Sequence, residues 1–359
     1  MRSAESLTYR LAVPWLRTAV ILLASVMAPV MAPAQAPPAD PRGAQLGTAA
    51  QHLQQGKTEQ AIRECKSVLA ADPRSAPAHM LLGMAYLAKG SMVAQAKAEL
   101  QQSLDLDPDL LWARFYLARL YLDQGLTEKA QEQLERGLKQ SPGLPAFLSL
   151  LGEVRRKLGD PGASLELNRK ALEADPTMIP AHYLLALAYL DLKQEQAAIA
   201  EFEKVIHSPY VTPEMYNALA SLYIRKQQFA EAEDLCRKAI ALDRSQPDAY
   251  LNLARVYNAR HESDKALEAL NAALPEGKEF SVSEYYQTLQ ADIAVERGVA
   301  YAASKMFARA IEEYVSALDF DPSRAAVHRR LAELYLQQGD PARAALHTRE
   351  AEKLEKGQK

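Results

Sequence analysis

YNALASLY at residues 216–223 and YLNLARVY at residues 250–257 are one phrase written twice, 34 residues apart. Each places a small residue three positions before a tyrosine: Ala220 before Tyr223, and Ala254 before Tyr257. The pairing runs the length of the chain. The small residues are Ala49, Gly83, Ala118, Gly152, Ala186, Ala220, Ala254, Gly298 and Ala332, and seven of the nine residues three places on are tyrosine. A second series follows twelve or thirteen places behind: Ala61, Ala96, Ala130, Ser164, Ala198, Ala232, Ala266, Ala310 and Ala344. Its steps are 34 or 35 residues, except one of 44 between Ala266 and Ala310. Repetition at such a period marks a supersecondary unit that can bury its apolar face only against a neighbouring copy.

Offsets of three and four within each half fit one face of an α-helix. Each repeat therefore reads as two antiparallel helices, A and B, joined by a short turn. Several turns carry Gly or Asp: Gly56, Gly90, Gly125, Gly159-Asp160 and Gly339-Asp340. Gly or Ala midway along helix A lets helix B approach closely, where a larger side chain would introduce strain. The tyrosine supplies a large ring with a polar tip at the packing seam. Repeats close on Asp72-Pro73, Asp107-Pro108, Ser141-Pro142, Asp175-Pro176 and Asp321-Pro322. Proline cannot continue helix B and disfavours helix in the residue before it.

HMLLGMAY (79–86) and the two opening phrases resemble the first half of the tetratricopeptide repeat pattern. AIAEFEKVI (198–206) and AIEEYVSALDFDP (310–322) resemble the second half. The resemblance covers about residues 42–359 as nine tandem copies. It implies an all-α fold, a right-handed superhelical solenoid of antiparallel helix pairs. Departures are local. The aromatic usual in helix B is Asn168 in the fourth copy and Thr348 in the ninth, and the closing proline is Arg244 in the sixth. The fifth copy has Pro209 one place early, and the first has Thr48 and His52 where Leu and Tyr are typical, as suits a capping repeat. The ten extra residues of the long step fall around Pro275-Glu276-Gly277-Lys278-Glu279, an insertion near 275–284. It reads either as a loop with a longer helix through Tyr285 and Tyr286, or as a bend or partner-binding insert.

The first 34 residues stand outside the array. Arg2, Arg10 and Arg17 precede an apolar stretch from Ala19 to Ala28, followed by Ala32-Pro33-Ala34. This is the layout of a secretory signal peptide cut after Ala34, and it predicts a periplasmic or secreted protein. The apolar run is shorter than the roughly 20 residues of a membrane span, so no stable span is expected once the leader is removed. An uncleaved N-terminal anchor, or a cytoplasmic protein, is the competing reading. Residues 35–41 form a short Pro-rich linker. The leader carries three Arg and one Glu, so removing its +2 from a formal −3 leaves the mature chain near −5. That balance is a poor match to the basic footprint of a nucleic-acid binder.

No catalytic, metal or cofactor constellation is expected. His79, His182 and His328 share one repeat slot and His52 takes the tyrosine slot, a periodic placement that argues for packing. No His-x-x-x-His or Cys-x-x-Cys spacing occurs. Gly56-Lys57-Thr58 resembles the tail of a phosphate-binding loop, but the glycine required five places earlier is Gln51. Cys65 and Cys236 occupy helix B slots five repeats apart, beyond disulfide reach in a solenoid, and read as buried apolar residues.

The function then rests on surface. In the family the concave groove is lined by helix A at its second, fifth, ninth, twelfth and thirteenth positions. Carried over to copies two, three and five, this implies Met80, Met84, Leu87, Trp112, Phe115, Leu122, Tyr183, Leu187 and Leu190. In copies four, six and seven it implies Arg156, Lys157, Asn217, Arg225, Arg255 and Asn258. The expected groove is apolar and aromatic at its N-terminal half and basic and amide-bearing in the middle. Superhelical packing could instead hide part of the apolar set. The two-carboxylate clamp of chaperone-binding members is not reproduced, since Met80, Met84, Phe115 and Arg119 stand at its slots. The reading is an exported, non-enzymatic protein–protein scaffold of bacterial envelope, secretion or exopolysaccharide assembly, holding a protein or peptide in its groove and with homo-oligomerisation open. The alternative is a carrier of polysaccharide or another non-protein ligand, or an anchored or cytoplasmic adaptor if the leader is kept.

Overall fold

Each B helix lies against the small residue of its own A helix, and the nine copies of that contact build the molecule. The computed structural model describes residues 41–273 and 284–357, and among them are eighteen helices and no strand. The expected leader, nearly all of the expected linker and the centre of the insertion near 275–284 lie outside the described residues.

The chain divides into two compact units, Met1–Tyr210 and Val211–Lys359. The first holds five helix pairs. They are α1 (Pro41–Gln54) with α2 (Thr58–Ala71), α3 (Ala76–Lys89) with α4 (Val93–Leu106), and α5 (Leu111–Asp123) with α6 (Thr127–Gln140). Then come α7 (Pro145–Lys157) with α8 (Pro161–Ala174), and α9 (Ile179–Asp191) with α10 (Glu195–Val205). The second unit holds four pairs: α11 (Pro213–Arg225) with α12 (Phe229–Leu242), and α13 (Pro247–Ala259) with α14 (Ser263–Ala273). The last two are α15 (Glu284–Ala303) with α16 (Phe307–Phe320), and α17 (Ala325–Gln337) with α18 (Pro341–Gly357). The units divide where the fifth copy departs from the pattern, just past Pro209 and a short α10 of 11 residues.

The glycines midway along helix A leave no room for a side chain. A methyl added at Gly83 would sit 2.8 Å from Leu100 Cγ, and one at Gly298 would sit 2.5 Å from a ring carbon of Tyr314. At Gly152 it would collide with the Asn168 amide. Leu100, Asn168 and Tyr314 all occupy the helix B slot that is usually aromatic, and each fills the space beside its glycine. Asn168 is fully buried and its polar atoms are satisfied locally. It accepts from Ser149 Oγ at 2.9 Å and donates to the Ser164 carbonyl at 2.9 Å. Cys65 and Cys236 fill the same slot in their repeats; each is buried, and burial pushes each thiol up to about 12.

Turns and ends repeat as faithfully as the core. The A–B turn has one residue in the left-handed region in all nine repeats: Gly56, Gly90, Gly125, Gly159, Lys193, Gln227, His261, Lys305 and Gly339. Sequence pattern found the glycines and missed the other four, which adopt φ of 59–60° despite a Cβ. At the far end of helix B, Asp72, Asp107, Asp175, Asp243 and Asp321 each accept the amide of the residue two places on, at 2.8–3.1 Å. This Asx turn explains why Arg244 can replace proline in the sixth copy: Asp243 makes the turn without it.

The three histidines of one slot also share a role. His79 bridges the Pro73 carbonyl (3.1 Å) and Glu99 (2.6 Å), and His182 bridges the Pro176 carbonyl (3.0 Å) and Glu201 (2.6 Å). His328 reaches the Pro322 carbonyl (3.3 Å), but its helix B partner is His347 at 2.9 Å. α15 runs to 20 residues, against 13 in α13, and the seven added at its start carry Tyr285 and Tyr286.

Two stability outcomes follow from these contacts. Gly152→Leu overpacks the α7–α8 contact and displaces a buried amide; its urea midpoint is expected to fall by the equivalent of roughly 1–3 kcal/mol. An unchanged midpoint would mean that Asn168 does not close that contact. Lys193→Gly and Gln227→Gly relieve left-handed strain and are each expected to raise stability by about 0.5 kcal/mol, the gain being reduced by glycine's freedom in the unfolded chain. Destabilisation by both would show that those residues make compensating contacts.

Candidate functional site

The helix A positions expected to line a groove separate by burial. Met80, Met84, Leu87 and Leu122 are each 1% exposed and Phe115 is 5% exposed, all within the core of the first unit. They serve the interior, because the inner helices of adjacent repeats pack on one another through these positions and leave their side chains no open face. Trp112 is half-buried at the edge of this core. Its ring stands edge-on to Phe115 at 5.6 Å and to Phe147 at 6.4 Å. Phe147 in turn is fully buried and sits where only Gly137, without a Cβ, leaves room. Tyr183, Leu187 and Leu190 on α9 are half-buried, and Tyr183 meets Phe202 edge-on at 5.8 Å. Of the apolar residues expected to line the groove, only Trp112 and the α9 trio therefore keep accessible surface, a smaller set than the sequence suggested.

Between those two apolar patches lies a lattice of charge on α5, α7 and α9. Arg119 donates to Glu153 Oε2 at 2.7 Å and pairs with Asp123 Oδ1 at 3.1 Å. Lys157 approaches Glu153 at 4.0 Å, and Arg156 pairs with Asp191 at 3.1 Å. Burial opposes the Arg119 charge, but Glu153 and Asp123 outweigh it and hold the guanidinium firmly protonated. Burial pushes the Asp123 carboxyl up, against the pull of Arg119 and with a further push from Glu153. Arg119 Nε, Arg156 Nε and Asp123 Oδ2 are buried without a hydrogen-bond partner.

The expected basic, amide-bearing half does not stand as a free cationic surface in the second unit. Arg255 pairs with Asp292 at 2.9 Å and with Glu296 at 3.2 Å, and donates to Asn252 Oδ1 at 3.3 Å. Asn258 donates to Glu296 Oε2 at 2.8 Å and to its carbonyl at 3.0 Å. Asn217 is 8% exposed, with its side-chain oxygen unpartnered. Arg225 is exposed at the end of α11, and Lys157 is the other exposed member of the set. Arg156 and Arg255 are neutralised because the next inner helix offers an acid one repeat along. The pairing has a sequence signature, since Arg119 and Glu153 are 34 residues apart, one repeat length.

Among the described residues, no group of three or more His, Cys, Asp or Glu has the geometry to hold a metal, and no helix is long and apolar enough to cross a membrane.

Comparison with known proteins fits this geometry. Models described as tetratricopeptide repeat match residues 91–154, 223–293 and 301–349, with further matches at 47–110 and 179–207. The chain is 29% identical over 138 residues to lipopolysaccharide assembly protein B of Escherichia coli K12, covering 38% of this chain and 35% of that protein. It is 27% identical over 204 residues to the CTR9 homolog of Arabidopsis thaliana, covering 54% of this chain and 18% of that protein. The chain thus spans about a third or less of the length of these relatives. Among solved structures, the Cut9–Hcn1 hetero-tetramer of the APC/C matches with a TM-score of 0.62 at 18% identity, over 85% of this chain and 60% of that one. Human IFIT1 in its dimer with PPP-AAAA matches with a TM-score of 0.58 at 18% identity, over 94% and 78%. Both likenesses show the fold alone.

The charge lattice yields a pH-dependent outcome. Arg119→Met leaves two carboxylates facing each other and is expected to cost about 3 kcal/mol at pH 7. The Asp123 carboxyl is already raised in the fold, so its ionised form is the penalised one. Acidification toward the unfolded carboxylate range protonates it, and the deficit of the variant should shrink over that interval. Urea midpoints of both proteins at pH 7 and pH 4.5 measure this; a deficit independent of pH would assign Arg119 a packing role only.

Proposed function

The chain belongs to the tetratricopeptide repeat family, and from that premise we propose that it is an exported scaffold that holds protein partners in bacterial envelope assembly. As a member of a family built for interaction, it is a protein–protein scaffold, a fold that is typically non-catalytic. The observation that carries the reading is the first unit's inner face. There Trp112 and the α9 trio flank a lattice of part-buried charges with unpartnered donor and acceptor atoms at Arg119 and Asp123. Rigid aromatic and aliphatic anchors beside charged hydrogen-bonding groups suit a peptide or helix better than a uniform apolar ligand. Export rests on the leader layout of residues 1–34 and places the mature chain in the periplasm or outside the cell. Envelope assembly draws support from the likeness to lipopolysaccharide assembly protein B, over about a third of each chain. Ring-bearing positions on the inner face gather at Trp112 and Tyr183 rather than recurring in every repeat, which favours a protein partner over a polysaccharide.

Crosslinking in the native host, with a tag after Lys359 and mass spectrometry of captured proteins, tests the reading. Envelope proteins are expected with the wild type and at least several-fold fewer with Trp112→Ala. Phe115 is left intact because it is core. The captured chain should also lack the mass of residues 1–34. Cytoplasmic proteins captured equally by both chains, with the leader retained, would overturn export and the inner-face site together.

A further inference from the structure

The lengthened start of α15 places a tyrosine on the previous repeat. Tyr285 donates its hydroxyl to Asp248 Oδ2 of α13 at 2.5 Å, and its ring stands 5.2 Å from that of Tyr286. Burial pushes the Tyr285 hydroxyl far up, with further pushes from Asp248, Tyr286 and Glu214. Glu214 and Asp248 are the second residues of α11 and α13. Gln246 Nε2 donates to Glu214 Oε1 at 3.2 Å. Neither carboxylate has a cation within ion-pair distance among the described residues, whereas Asp292, at the neighbouring position of α15, is held by both Arg255 and Arg324.

An acid near a helix N-terminus is what the helix dipole favours, and that alone would account for two such residues. It does not account for the rest. Glu214 Oε2 is buried with no hydrogen-bond partner. Asn217, one turn further on the same helix, is more than nine-tenths buried with its side-chain oxygen also unpartnered. Buried acceptors without donors are rare and costly. Here they accompany two carboxylates without a cation and an aromatic ring that is 40% exposed.

We propose that Glu214, Asp248 and Tyr285, with Asn217 behind them, form a receptor for a lysine or arginine side chain of a partner peptide. The cationic head would donate charge-assisted hydrogen bonds to the two carboxylates and the Asn217 oxygen, and its stem would lie on the Tyr285 ring. This rests on the scaffold reading for the existence of a partner and adds the chemistry that the second unit selects. The added start of α15 gains a role as well, because α11 and α13 begin seven residues later in the repeat register and carry no counterpart of Tyr285.

The test uses the purified chain and a fluorescein-labelled octapeptide of alternating lysine and glycine, titrated by fluorescence anisotropy beside the same peptide with acetyl-lysine. The lysine peptide should bind and the acetylated one should not. Glu214→Gln with Asp248→Asn should weaken binding at least tenfold. Glu268→Gln with Glu312→Gln, which removes two exposed acids of the same unit, should leave it unchanged. If the first pair impairs folding by circular dichroism, Asp248→Asn alone, which still accepts from Tyr285, should weaken binding several-fold. Equal loss in both pairs would reduce the effect to general attraction by an acidic chain and overturn the site, as would no lysine-dependent binding by the wild type. Host crosslinking separates the two readings. Partners lost with Trp112→Ala but kept with Asp248→Asn, together with unchanged peptide binding by Asp248→Asn, would leave the scaffold standing and remove this site.

Discussion

The closeness of helix B to helix A within each repeat is the constraint on which everything else depends. It is set by a single small residue in the middle of helix A, and where that residue is glycine the facing side chain leaves no room for a Cβ, as Tyr314 does at Gly298. With the two helices at that distance, the tyrosine one turn on lies at the seam. The loop between them must turn so sharply that one residue takes a left-handed conformation in every copy. Lys193, Gln227, His261 and Lys305 accept that conformation because nine packed pairs over-determine it.

Stacking one pair on the next makes a second demand. Inner helices that pack through Met80, Met84, Phe115 and Leu122 bury their broad apolar stripe in the interior and leave polar residues along its border. These residues then join repeats instead of facing solvent alone: Arg119 to Glu153, Arg156 to Asp191, and Arg255 to Asp292 and Glu296. Part-buried pairs of this kind add modest net stability but penalise wrong neighbours, since a mismatched repeat would strand a charge. The same border carries unpartnered atoms, at Arg119 and Asp123 in one unit and at Glu214 and Asn217 in the other. The elements that fix the stacking thus supply the chemistry available to a partner.

The fold was legible because its determinants are local and repeated nine times. Small residues, tyrosines and closing Asp-Pro pairs recur at fixed offsets, and departures such as Asn168 and Arg244 were visible as departures. The candidate site was legible only in part. Trp112, Tyr183, Leu187 and Leu190 keep accessible surface, while Phe115 and the two methionines do not. Position within a helix names the face a residue points to, but how much of that face the next repeat covers depends on its side chains. Whether an inner-face arginine is free likewise depends on the next repeat, which offers Glu153 to Arg119 and Asp191 to Arg156.

By itself the sequence determined the helix pairs and their number, since a 34-residue period of small and aromatic residues admits one local solution. Tertiary structure decided which inner-face residues remain available. It buried the apolar stripe, paired Arg255 across two repeats, and carried Tyr285 back onto Asp248 through two added turns of α15. Those outcomes depend on distances between side chains 34 or more residues apart, which arise only once one repeat is stacked on the next.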